Sequence, residues 1–185
     1  MDPKTQATTA VQILTPLVDG TRADQLGNQT PCSEWKVRDL LNHVIGGGHM
    51  FASGLRGETF APGGPTDLVG DDPSAAFHAA IDSFSSALAG TDDLGQSVSL
   101  PFGTLPAAAA LQLAAGDLLV HSWDLAQATG QPFDPPTEIV EASYGFFKVA
   151  VNDGMRNAGL FGPPYEVADD AAALTRLLAH AGRRA

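Results

Sequence analysis

Cysteine, basic side chains and long apolar runs are scarce in this sequence, and each scarcity removes a class of function. The single cysteine, Cys32, excludes an internal disulfide and any cysteine-cluster zinc site, so the chain neither needs nor reports an oxidising compartment. Lys and Arg number 10 against 21 Asp and Glu, a formal net charge of −11. That balance repels a phosphate backbone and an anionic membrane surface alike, so neither nucleic acid nor membrane is an expected partner. No window approaches the roughly 18 uninterrupted apolar residues of a membrane span. The opening MDPKTQATTAVQILTPLVDG lacks a charged region followed by an apolar block and a cleavage site. The expectation is a cytoplasmic protein, one domain over residues 1–185, long enough to bury a full core.

What the chain does have is helix after helix. Val11, Leu14 and Leu17/Val18 recur at helical spacing and predict a first helix from Thr8 to about Asp19. A second runs from Val37 to Leu55, with Val37, Leu40, Leu41, Val44, Met50 and Phe51 on its apolar side and His43 beside them. Three consecutive glycines, Gly46 to Gly48, weaken that helix by about 1 kcal/mol each relative to alanine. They imply close approach of a neighbouring backbone or a local distortion. Arg56 to Asp72 is a loop of the length that is either a functional lid or disordered. Pro73, after Asp71/Asp72 as cap, opens a third helix carrying Phe77, Ile81, Phe84 and Leu88. The Val98-Ser99-Leu100 alternation is too brief to predict a sheet. Thr137 to about Arg156 reads as one more helix, with Ile139, Val140, Tyr144, Phe147 and Val149/Val151 inward. Asp169-Asp170 are expected to cap a last helix that buries Leu174, Leu177 and Leu178, with Arg183 and Arg184 at the negative end of its dipole. These elements predict an all-α fold, an antiparallel four-helix bundle with a C-terminal helical arm.

One stretch organises the rest. LPAAAALQLAAGDLLVHSWDLAQATG, Leu105 to Gly130, predicts a helix over about Pro106–Thr129 with Gly130 as its C-terminal cap. It sets Asp117, His121 and Asp124 four and three residues apart, on one face among alanines and leucines. A catalytic tetrahedral site needs three protein ligands and one open position, and His43, Asp117 and His121 supply such a set. The four-residue spacing lets Asp117 and His121 reach one ion from one helix, as two histidines do in a helical His-Glu-x-x-His motif. Asp124 is then a supporting group that accepts the His121 N–H and fixes its tautomer, or caps a neighbouring helix. Two nitrogens and a carboxylate suit zinc, nickel, cobalt or iron(II).

Quieter readings stand beside this one: His43 as a hydrogen-bonded core histidine, and Asp117 with His121 as a buried ion pair. His49, roughly 240° around the helix from His43, faces elsewhere; His78 belongs to a polar flank and His180 to a solvated or dipole-paired end. Cys32 reads as a small buried hydrophobe.

TPCSEWKVRDLLNHVIGG, GDLLVHSWDLAQATGQPF and the closing FGPPYEV and LTRLLAHAGR segments resemble the actinobacterial relatives of the mycothiol-dependent maleylpyruvate isomerase metal-binding domain, within the DinB-like four-helix bundles. The resemblance covers most of the chain. It implies a DinB-like bundle with a divalent metal, zinc foremost, held by a histidine late in the Trp-x-Val-Arg motif and by an acidic residue and a histidine four apart on a later helix. Those positions are His43, Asp117 and His121. Asp117 stands where the isomerase has a glutamate, a shorter arm that bears on metal choice. The isomerase also has a C-terminal domain for which 185 residues leave no room, so the resemblance implies thiol chemistry rather than that particular isomerisation.

The function so implied is a metal-dependent, mycothiol-dependent thiol transferase acting on a low-molecular-weight thiol and an electrophile. A non-catalytic metal- or ligand-binding bundle and a hydrolase using metal-bound water are the alternatives. An open coordination position facing a cavity separates the enzyme from the binding module. Ala-rich apolar faces are compatible with a homodimer.

Overall fold

In the computed structural model, which describes residues 1–32, 34–58 and 67–184, the chain is helical apart from one small hairpin. α1 (Pro3–Asp19), α2 (Val37–Leu55), α3 (Pro73–Ala89) and α4 (Ala107–Thr129) form the bundle; α5 (Thr137–Ala150), α6 (Asp153–Asn157) and α7 (Ala173–His180) form the arm. α4 is its axis. Alanines and leucines cover α4 on nearly every side, so α1, α2 and α5 all pack closely against it, while α3 packs on α2 and α7 on α5. Its end falls at Gly130, whose φ of +70° is one that other residues resist.

The helix starts follow local chemistry. α1 begins at Pro3 and not at Thr8, because Asp2 accepts the Thr5 N–H at 2.9 Å and Pro3 is preset for the first turn. Asp72 caps α3 in the same way, accepting from Ala75 N at 3.0 Å ahead of Pro73. α2 spans Val37–Leu55, the predicted range; Asp39 accepts the Lys36 N–H at 2.9 Å at its start.

Three further sequence expectations need correction. A two-stranded antiparallel hairpin, β1 (Ser97–Leu100) and β2 (Gly103–Pro106), pairs Ser97 with Pro106 and Leu100 with Gly103. Its strands are too short to stand out as periodicity, and it is held by burying Val98 and Leu100 against α2 at Gly54, where an added Cβ would lie 2.8 Å from Val98. The helix expected over Thr137–Arg156 is two helices: Val151 turns extended and Asn152 caps α6 through Met155 N. The break points Val149 outward, 83% exposed, while Val151 is buried. Asp169 and Asp170 are not the cap of the last helix, which starts after Ala172 with no side-chain cap. Residues 59–66 of the expected lid, Arg56 to Asp72, lie outside the described residues. Its far end is tied to α2, where Asn42 accepts from Leu68 N at 2.6 Å and Arg38 bonds Asp67 and the Gly70 carbonyl. No described helix is long and apolar enough to cross a membrane.

The glycines of α2 divide their work. Gly48 is a close approach, since a Cβ there would sit 3.3 Å from the Cβ of Ala80 on α3. Gly46 faces the Leu68 side chain, and Gly47 faces nothing within 4 Å. On α4 the tightest approach is Gly116, where a Cβ would overlap the ring of the fully buried Phe147 from α5. Helix propensity alone favours Gly116→Ala by about 1 kcal/mol. The overlap reverses the sign: we expect destabilisation of roughly 1–3 kcal/mol, a melting temperature lower by several degrees in a circular-dichroism scan. A variant as stable as the parent would mean that Phe147 does not seat there.

Candidate metal centre

α2 and α4 bring three side chains together. His43 comes from the side of α2 facing α4, and Asp117 and His121 from one face of α4. His43 Nε2 lies 3.1 Å from Asp117 Oδ2, and His121 Nε2 lies 3.5 Å from Asp117 Oδ1. One donor atom from each residue falls within 4.8 Å of the other two. Ligand atoms about 2.0–2.1 Å from a tetrahedral ion lie roughly 3.3 Å apart; each imidazole is near that spacing from a different oxygen of Asp117, and the 4.8 Å span of the three single donors must contract for all three to hold one ion. The donor set fits a divalent ion.

The turn before α2 braces the two imidazoles. Thr30 Oγ1 donates to the Trp35 carbonyl at 2.8 Å and Trp35 N donates to the Cys32 carbonyl at 2.8 Å, which fixes the Trp35 backbone. Trp35 stacks on His121 with ring centroids 5.4 Å apart and lies 4.8 Å from His43; the imidazoles are 4.7 Å apart.

Behind His121 stands a buried charge pair. His121 Nδ1 lies 3.0 Å from Asp124 Oδ2, and the same oxygen accepts from Arg183 Nη2 at 2.8 Å. Asp124 is fully buried and Arg183 nearly so. Burial works to raise the Asp124 carboxyl, but the bonds from His121 and Arg183 outweigh it and hold the group below the usual carboxylate range. An ionised carboxylate at Nδ1 keeps a proton there and directs Nε2 at the cluster. Burial likewise disfavours charge on His121, yet the adjacent Asp117 carboxylate and the Asp124 bond push its pKa up to about 9. For Asp117 burial raises the carboxyl, and the charges of His43 and then His121 carry it far below its ordinary value.

The cluster faces open space. The His43 and Asp117 side chains are 38% and 29% exposed, against 6% for His121. All three line a cavity of about 460 Å³ whose other walls include Cys32, Trp35, Tyr165, Arg183 and Arg184. Cys32 is therefore a wall residue and only half-buried, and burial raises its thiol pKa. Outside the cluster, His78 pairs with Asp19 at 2.9 Å and His180 Nε2 with the Phe147 carbonyl at 3.0 Å; His49 is not part of it.

Arg183 and Trp35 are the contributors that sequence reasoning missed. Arg183 was expected to answer a helix dipole; it answers Asp124 instead, 59 residues away. The only signal was an arginine beside an apolar helix end.

The raised His121 value gives the metal-free protein a definite pH dependence. Its folded pKa, about 9, lies above the ordinary 6.5, so its contribution is complete below about pH 6.5 and is lost as pH rises through 9. Urea unfolding in excess chelator should show stability falling by a few kcal/mol between pH 6.5 and 9.5, with His121→Gln much flatter. A parent profile flat over that range would mean that His121 is neutral in the fold.

Comparison with known proteins identifies the family. The family model for the mycothiol maleylpyruvate isomerase N-terminal domain matches residues 7–126, from α1 to the buried end of α4. The uncharacterized proteins MT0763 and Rv0738, from two strains of Mycobacterium tuberculosis, are each 33% identical over 159 residues, 86% of this chain and 85% of theirs. Among solved structures, the mycothiol-dependent maleylpyruvate isomerase shares the fold with a TM-score of 0.63 at 15% identity, over 85% of this chain and 71% of that one. A histidine-to-alanine mutant of the isomerase gives 0.66 at 14% identity over the same shares of the two chains. With His43, Asp117, His121 and Asp124 all inside the matched residues, the chain belongs to the mycothiol maleylpyruvate isomerase N-terminal domain family.

Proposed function

We propose that the protein is a divalent-metal-dependent thiol transferase that activates a low-molecular-weight thiol, mycothiol, toward an electrophile. The observation that carries this reading is the three-donor cluster with its exposed side on the 460 Å³ cavity. Three donors beside a cavity leave room for a substrate atom, whereas a structural site closes with four protein ligands. His43, Asp117 and His121 would hold the ion, with zinc first among nickel, cobalt and iron(II). When bound, such an ion supplies Lewis-acid chemistry, lowering the pKa of a thiol so that thiolate persists at neutral pH.

The chain's own residues provide position and polarity. Asp124 and Arg183 hold the His121 ring with Nε2 on the cluster, and Trp35 fixes both rings against rotation. Tyr165 and the two C-terminal arginines on the cavity wall offer hydrogen bonds to a polar thiol. In the net reaction the thiol S–H bond breaks and a sulfur–carbon bond forms. In a displacement the bond from carbon to its leaving group breaks, the leaving group departs with that electron pair and the thiol proton passes to cavity water; in an addition a carbon–carbon π bond breaks and the proton ends on the neighbouring carbon. A hydrolase would not need the thiol, so thiol dependence separates the two enzymatic readings.

Untagged protein dialysed against zinc should hold one equivalent by elemental analysis, and His121→Ala should hold none. Asp124→Asn should bind zinc about 10–100-fold more weakly. Conjugation of mycothiol to a chromogenic electrophile should follow metal content across the three proteins. A parent that takes up no zinc, or conjugates equally without it, would overturn the proposal.

A further inference from the structure

The cluster has a second, drier side. His43 and Asp117 also line a pocket of about 90 Å³ whose remaining walls are apolar: Met50, Phe51, Phe102, Leu113 and Met155. Leu160 and Phe161 border this pocket and the large polar cavity alike, so they stand between the two. The described walls carry neither lysine nor arginine, and their polar atoms are confined to the cluster end. Two large apolar side chains left exposed on the surface, Phe102 of the hairpin turn and Leu160, belong to this same pocket.

Gly47 is the key to its size. Glycine inside a helix costs about 1 kcal/mol relative to alanine; Gly48 has a steric reason against Ala80, and a Cβ at Gly46 would touch the end of the Leu68 side chain. Gly47 has no such contact: an added Cβ meets no atom within 4 Å, and its φ is not positive. It lies on the pocket wall, so the space a side chain would take is pocket volume. A dry cavity of about 150 Å³ takes benzene; 90 Å³ suits an aliphatic group of three or four carbons. The two methionines can adapt to its shape.

We propose that this pocket receives the non-thiol substrate by a small, neutral apolar group, with the reacting carbon toward His43 and Asp117, and that Gly47 is the residue setting the size accepted. The proposal rests on the thiol-transfer reading and names the electrophile class for it: a short-chain apolar compound and not a dicarboxylate or a phosphate ester. A thiol in the polar cavity and an apolar group in the pocket then meet at the cluster from opposite sides.

The test needs neither metal nor thiol. The chain has three methionines, Met1, Met50 and Met155, of which two line the pocket. In protein labelled with ¹³C at the methionine methyls, titration with tert-butanol should move Met50 and Met155 saturably and leave Met1 still. Isobutyrate, of similar shape but charged, should bind about tenfold more weakly or worse. Gly47→Leu should abolish the shifts while retaining the parent's helical circular-dichroism spectrum. Gly47→Ala, the milder change, should raise the melting temperature and weaken tert-butanol several-fold. Still Met50 and Met155 signals, equal binding of isobutyrate, or parental binding in both Gly47 variants would overturn the proposal. Because the probe is not a substrate, failure of zinc uptake or of mycothiol conjugation counts against the thiol-transfer reading alone.

Discussion

A carboxylate with no exposure to solvent, Asp124, is the constraint on which the rest of the site depends. Removing an unpaired carboxylate from water costs several kcal/mol even after the protein relaxes, so a chain that buries one must deliver partners to it. Here the partners are His121 from one turn back on the same helix and Arg183 from the far end of the chain. Meeting that demand orders two things at once. The imidazole is locked with Nδ1 toward Asp124 and Nε2 toward the cluster, and the C-terminal segment is drawn onto the bundle, where Gly182, Arg183 and Arg184 become a wall of the polar cavity. A pair of this kind adds little net stability over an apolar substitute, but it specifies one arrangement of ring and tail.

Asp117 and Asp124 flank the same imidazole and differ in what they are left to do. Asp124 is inside, and arginine and histidine already occupy its acceptor capacity. Asp117 is part-exposed at the cavity mouth and, among the described residues, meets the two imidazoles of the cluster. One carboxylate is spent on architecture, and the other is held ionised beside exchangeable partners. This is the division a metal site requires, a fixed supporting anion behind a ligand and an available one in front of it. The overall charge of −11 adds a diffuse attraction for a cation on top of this local arrangement.

Much of this was legible in the residues, and the illegible part has a common cause. The spacing of Asp117, His121 and Asp124 shows their shared face because a helix repeats every 3.6 residues or so, and α4 is long enough to declare itself. His43 was readable as inward-pointing because it lies beside Leu40 and Val44, although its distance from Asp117 was not. The bounds of α2 and α4 were close for the same reason, while α1 began earlier because an Asp-Pro start outweighs weak periodicity further on. What stayed hidden depends on partners distant in sequence. Arg183 meets Asp124 only once the arm has docked, Gly116 is explained only by the Phe147 ring, and the hairpin exists because α2 has a gap at Gly54 to receive Val98. The break after Ala150 belongs to this class too, although Asn152 carried a cap signal that a continuous apolar pattern concealed.

The arm therefore does more than cover the bundle. α5 seats Phe147 against Gly116, immediately before Asp117 on α4, and the 159–165 segment is held by Arg156 to the Gly162 carbonyl and by Tyr165 N to the Ala179 carbonyl at 3.0 Å. That segment puts Leu160 and Phe161 between the polar cavity and the apolar pocket, and Tyr165 lies under Arg184 at 4.5 Å from its ring centroid. Packing, charge neutralisation and the separation of the two compartments thus arrive together when the arm docks. Without it, Asp124 would keep a single partner, Gly116 would face a void, and the two compartments would merge into one wet groove in which an apolar group gains little by binding beside the cluster. α2 and α4 carry the three donor side chains, but a polar and a dry approach to them exist only because the same chain returns to bury Arg183.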